Sequence, residues 1–475
     1  MRALLTGSLL LFAAGALPAQ SPAIATDTAV HVGVLANGLR YFVRHNSTPA
    51  NRLELRLVVR AGSILEDPDQ RGLAHFVEHM AFNGTTHFAK NDLIAYLESI
   101  GVRFGADLNA STSFDETVYI LPVPTDKPEL VDRAFDILQD WAAGVRFDST
   151  EVVNERGVVL GEWRSGLGVG SRLRDKEFPL LFAGSRYAER LPIGDTAIIA
   201  HANPAPIRRF YHDWYRPDLM AVIAVGDVPA ERLISLIADR FGSLQSPASP
   251  RPRIDAAVPE VPGTRFSLAT DPELTSESVQ LLVRRPDLPA YHTEADERRV
   301  LVNALISSIA GQRLSDLARK PDAPFVGAFF GPSRLVRNIE VFAVSVNAKE
   351  GRTLDAFAAV LTERRRLDAH GVLDSELERA KASLLRGREQ AAAESQKRFS
   401  SGFIDELLDA YLTGDSFTTP ATRLALAKQL LPTITRDEVN RAIRGSASGT
   451  DRFIAVRAPE KEGITLPTQA QLLAV

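Results

Sequence analysis

The chain has 475 residues and a mass of 51.8 kDa, more than one hydrophobic core ordinarily supports, so two or three domains are expected. Hydrophobic residues make up 45% and charged residues 24%, which excludes a disordered, collagenous or coiled-coil chain. A net charge of -4 offers no concentrated basic surface for nucleic acid, and the absence of cysteine excludes disulfides and a lipidated cysteine anchor.

Met1 and Arg2 precede an apolar stretch from Ala3 to Leu17 and then Pro18-Ala19-Gln20-Ser21. This is the pattern of a secretory signal over residues 1–20, cleaved near Ala19, and it predicts a periplasmic or extracellular protein. No later segment reaches membrane-spanning length. His31 to Leu35 and Leu39 to Arg44 flank Asn37-Gly38, a pair that tolerates positive φ, and so predict a hairpin; Leu53 to Arg60 alternates as a third strand. Helical periodicity is expected over Arg71 to Phe82, Asp92 to Ile100, Lys127 to Ala143, Ser149 to Trp163 and Pro206 to Trp214. Strands are expected near Ala106 to Thr112, Thr117 to Leu121 and Met220 to Val225. Gly166 to Gly170 reads as a helix terminus running into a flexible loop, because it lacks the spacing of a phosphate-cradling turn.

Pro247, Pro250, Pro252, Pro259 and Pro262 give the stretch 244–263 the stiff, extended composition of a linker. Beyond it the pattern repeats. Asp374-Ser375 opening Glu376 to Arg388 mirrors Asp148-Ser149 opening Thr150 to Glu162, and Phe453 to Val456 echoes Val222 to Val225. The expected fold is α+β: two homologous domains, residues 28–243 and 264–460, each a mainly antiparallel sheet with packed helices, followed by a tail or the start of a further linker at 461–475. Glu155 and Glu162 fall opposite Lys381 and Arg388, and the second copy has no histidine pair, so only the first domain can carry metal chemistry. The run Arg364-Arg365-Arg366 reads as a solvated helix face.

That chemistry is written in Gly72 to Phe82, where His75 and His79, four apart on a helix, share a face. Neutral imidazoles are favoured zinc ligands, and Glu78 beside them can take a proton from activated water. The His-x-x-Glu-His arrangement is expected about 0.02 times by chance in a chain of this composition. The spacing alone also suits two core histidines beside a surface glutamate. A third ligand is available from Glu155 and Glu162, which lie nearly two turns apart on one helix. They project to the same side, so one could bind the ion while the other holds a ligand imidazole.

Gly72 to Thr85, Leu108-Asn109-Ala110-Ser111-Thr112 and Glu155 to Glu162 resemble the pitrilysin/insulysin family of zinc peptidases, which includes the mitochondrial processing peptidase. The resemblance implies one Zn2+ per chain held by His75, His79 and Glu162, with Glu78 as catalytic base and Glu155 supporting the site. It also implies that a peptide substrate is bound as an added strand by Asn109 and Ala110. The stretch from His79 to Glu162 is longer than usual in that family, the extra residues fitting loops near 103–105 and 125–127. The implied activity is an endopeptidase for unfolded peptides, and the chamber implies a second half-like subunit or a homodimer. The same fold also serves as a noncatalytic peptide-binding or assembly subunit, and the motif alone also suits a zinc hydrolase of non-peptide esters or amides.

Overall fold

The computed structural model describes residues 21–475 except 91, 104, 106–108, 288, 338 and 446–447. The expected signal and the first part of the strand expected from Ala106 lie outside the described residues. The first domain runs β1 (Val30–Val34), β2 (Arg40–His45), β3 (Arg52–Val59), α1 (Leu73–Met80), α2 (Asp92–Ser99), β4 (Asn109–Thr112), β5 (Thr117–Pro124), α3 (Pro128–Ala143), α4 (Ser149–Ser165), α5 (Val169–Leu181), α6 (Thr196–Ala200), α7 (Pro204–Trp214), β6 (Met220–Gly226) and α8 (Ala230–Phe241). Its sheet has the order β1-β2-β6-β3-β5-β4, and every pair is antiparallel except β2 with β6. All of β6 is buried, as its apolar run requires of a central strand covered on both faces, whereas β4 forms one edge. At the predicted hairpin, Gly38 takes φ 94, and Leu35 N donates to Leu39 O at 2.8 Å.

The second domain runs β7 (Gly263–Asp271), β8 (Glu277–Arg284), α9 (Glu294–Ala318), β9 (Phe325–Val336), β10 (Ile339–Ala348), α10 (Thr353–His370), α11 (Asp374–Ala393), α12 (Ser400–Thr413), α13 (Pro420–Leu430), α14 (Arg436–Gly445), β11 (Asp451–Pro459) and α15 (Gln469–Ala474). Its sheet order is β7-β11-β8-β10-β9, again antiparallel except for one pair, β7 with β11. Both domains are thus mainly antiparallel α+β units, and the proline-rich stretch between α8 and β7 holds neither helix nor strand.

Each domain lends a helix to the other. Leu180 and Leu181 of α5 pack on Leu282, Phe453 and Ala455 of the second sheet, flanked by the paired charges Arg172–Asp271 and Arg457–Glu177. In return α12 lays Phe403, Ile404, Leu407 and Tyr411 across Phe42, Val58, Ala221 and Ile223 of the first sheet. The glycine-rich stretch is therefore shorter than expected: Gly166 caps α4, and α5 begins at Val169. Residues just past the expected signal also belong spatially to the second domain, with Ile24 in its core and Ile24 N donating to His292 O at 2.9 Å. Arg364 corrects the solvated reading of its run. It is buried under α14, donating to Ile443 O at 2.8 Å and lying over the Phe342 ring.

Candidate metal centre

Helix α1 is apolar around almost its whole circumference, with Leu73, Ala74, Phe76, Val77 and Met80 fully buried, so its orientation is fixed by packing from every side. Its first amides are held by a residue from outside the helix: Glu66, wholly buried, accepts from Gly72 N at 3.0 Å and Ala74 N at 2.8 Å. Gly72 sits at φ 97 against Gly194, where an added Cβ would meet the Gly72 Cα at 2.2 Å. Neither position accepts a side chain. On α4, Asp148 caps the amides of Thr150 and Glu151, and the helix carries Glu155, buried, and Glu162, with half its side chain exposed, toward α1.

The structure brings His75, His79 and Glu162 together. The two Nε2 atoms are 3.2 Å apart, and Glu162 Oε2 is 3.5 Å from that of His75 and 3.3 Å from that of His79. Ligand atoms bound at about 2.0–2.1 Å to a tetrahedral zinc ion stand about 3.3–3.4 Å from one another, so this nearly equilateral triangle fits zinc. Glu155 is placed differently. Its Oε1 lies 2.8 Å from His79 Nδ1, while its Oε2 accepts from Asn83 Nδ2 at 2.8 Å. That contact assigns a proton to Nδ1, so Nε2 is the nitrogen that faces the triangle and offers a lone pair once it gives up its own proton.

Electrostatics push the two imidazoles apart. Burial, with His79 alongside, holds His75 below the ordinary histidine range. Burial also opposes charge on His79, but its hydrogen bonds to Glu155 and Glu162 outweigh this and raise it. Glu162 is lowered by the same contact with His79, and burial raises Glu78. A cation among these groups would satisfy what a single shared proton satisfies incompletely.

The centre opens into a cleft of about 830 Å³ bordered by Glu78, Asn109, Ala110, Thr112, Arg174 and Phe178. Asn109 and Ala110 are thus on the wall of the cleft and on the sheet's edge strand, where Asn109 Oδ1 accepts from Ala110 N at 2.9 Å. Residues 41–165 match the family described as Insulinase (Peptidase family M16), and residues 201–384 match the Peptidase M16 inactive domain.

The chain belongs to the insulinase family of peptidases.

A "Zinc protease PQQL-like" protein of Arabidopsis thaliana is 36% identical over 86% of this chain and 40% of its own length. The "Probable zinc protease PqqL" of Escherichia coli is 31% identical over 87% of this chain and 44% of its own length. The chain therefore spans less than half of these relatives. The crystal structure of the first half of the periplasmic protease PqqL from Escherichia coli superposes with a TM-score of 0.89 at 28% identity, covering 95% of this chain and 97% of that one. No helix among the described residues is long and apolar enough to cross a membrane.

Two site residues escaped the sequence reading. Asn83 joins Glu155 to the carbonyl of His79, and its signal was its place four residues after that histidine. Thr112 donates to Glu78 Oε2 at 2.6 Å, a contact between a strand and a helix distant in sequence, which spacing does not reveal.

Proposed function

We propose that this chain is a zinc-dependent endopeptidase acting on unfolded peptides, with His75, His79 and Glu162 holding one Zn2+, Glu78 as catalytic base and Glu155 orienting His79. The observation that carries this reading is the triangle of His75, His79 and Glu162 donor atoms, with the Glu78 carboxylate lining the same cleft. Bound there, zinc would supply Lewis acidity, activating water near neutral pH and polarising the scissile carbonyl. Glu78, raised by burial, would accept a proton from the attacking water and pass it to the leaving amine. Peptide would lie along β4, which among the described residues pairs on one side with β5 and on the other with no strand, so that edge is available for strand addition at Asn109 and Ala110. Strand addition reads main chain, which suits an enzyme for extended peptides of varied sequence.

The relatives' longer chains support a second half-like subunit or a homodimer completing the chamber. The description of a similar structure as periplasmic supports export by the N-terminal signal. Zinc analysis and quenched-peptide cleavage by the purified chain, beside Glu78→Gln, test the proposal. The expected result is about one zinc in both and cleavage lowered by about three orders of magnitude or more in the variant. A chain that binds no zinc would sink the reading.

A further inference from the structure

We infer that Thr112 is a positioning residue for Glu78, fixing one oxygen of its carboxylate so that the other is presented to the cleft. The inference rests on the peptidase reading above and adds a residue to it.

Three hydroxyl and carboxyl groups in a row decide where the Thr112 proton goes. Thr117 Oγ1 donates to Ala61 O at 2.9 Å and so spends its single proton on a buried carbonyl. It lies 3.4 Å from Thr112 Oγ1, at the outer limit of a hydrogen bond. Thr112 Oγ1 lies 2.6 Å from Glu78 Oε2, the length of a hydroxyl donating to a carboxylate. That is the hydrogen bond the Glu78 carboxylate makes among the described side chains; Glu78 lines the cleft, and Oε1 is the oxygen that this bond does not engage. A carboxylate on a helix has a broad terminal torsion, so without a partner its oxygens exchange places freely. One short bond from a rigid neighbour removes that freedom.

The neighbour is rigid because of where it sits. Thr112 is paired with Thr117 and Ala110 with Tyr119 in the β4–β5 register. The side chains of Ala110 and Thr112 lie half-buried on one face while Asn109 and Ser111 point to solvent. The strand on which we place the substrate is therefore the strand that holds the base. A threonine supplies this bond with a χ1 restricted by its β-branch, where serine supplies the same bond with more freedom.

The test uses the full chain with Thr112→Val, which keeps the shape and removes the hydroxyl, beside Thr112→Ser and Glu78→Gln. Zinc content, melting, kcat and KM on an internally quenched peptide, and a crystal structure of the valine variant are measured. The valine variant should keep about one zinc and its fold, lose about tenfold in kcat with KM within about twofold, and show the Glu78 carboxylate displaced. The serine variant should recover kcat to within about threefold of wild type. A valine variant with wild-type kcat, a loss carried by KM instead, a serine variant as slow as valine, or an unmoved Glu78 would each overturn the inference. A wild-type chain that binds zinc and cleaves no peptide points instead to the missing half of the chamber, a chain that binds no zinc sinks the peptidase reading, and in either case the position of Glu78 in the valine variant decides this point separately.

Discussion

Helices α4 and α11, which the sequence repeat sets opposite one another, carry opposite charges at the matched positions. From α4, Glu155 and Glu162 meet the histidines of α1. From α11, the corresponding Lys381 pairs with Glu378 at 3.1 Å on its own helix, and Arg388 reaches Glu297 of α9 at 3.5 Å. The second domain also has a cavity, about 510 Å³, but Arg388, Lys397, Arg398 and Arg423 line it, with Glu406 bridging two of them. One architecture therefore closes the same helix contact in two ways. Where the charges complement each other the contact is self-contained, and where acids and imidazoles converge it calls for a cation.

That contrast can be broken at its strongest point by exchanging charge. Glu162→Arg should lower bound zinc from about one per chain to none by metal analysis, because it puts a cation where a ligand oxygen stood. Arg388→Glu should leave zinc at about one, and a second bound ion in that variant would show that the second domain needs only one residue to become a metal site.

The exchanged helices offer a smaller effect. Ile404 of α12 is fully buried on the first sheet, whereas Leu180 of α5 is half-buried on the second. Denaturant unfolding should give a loss of about 2–5 kcal/mol for Ile404→Ala and a distinctly smaller one for Leu180→Ala. Equal losses would mean that the two sheets depend alike on their borrowed cover.

A pH-dependent effect concerns Glu66, which stands outside the acid-to-base inversion. Burial lifts its carboxyl from 4.5 to about 8, against the opposing pull of the Ala74 and Gly72 amides and Arg190. Between those values the folded chain keeps a proton that the unfolded chain has released, so stability falls as pH rises, by up to about 1.4 kcal/mol per unit. Glu66→Gln, neutral throughout, should remove that slope. Parallel stability curves for the two chains between pH 5 and 8 would show that Glu66 is ionised in the fold.

The sequence displayed the elements that bury one stripe or alternate, such as α1, α3, α4 and β6, because local periodicity reports which face is covered. It did not display what covers it. Helix α5 was missed beyond a glycine run, since it carries Pro179 and turns its apolar face to a different domain. The parallel pairs β2–β6 and β7–β11 join strands from opposite ends of each domain, a relation absent from any local window. At the site, the helical pairing of His75 with His79 and of Glu155 with Glu162 was legible as spacing. The contacts of Thr112 and Asn83 were not, because they are set by where a strand edge and a helix end meet in space.

The lending of α5 and α12 changes what the proline-rich linker is for. With each sheet roofed by a helix from the other half, the two halves are held by mutual enclosure as well as by the covalent crossing between Gly242 and Gly263. A gene split within that crossing would yield two polypeptides that each expose a bare apolar sheet and that complete one another only on mixing. On this packing the pair is expected to fold as one unit, even though the residues proposed to hold a metal all lie in one member.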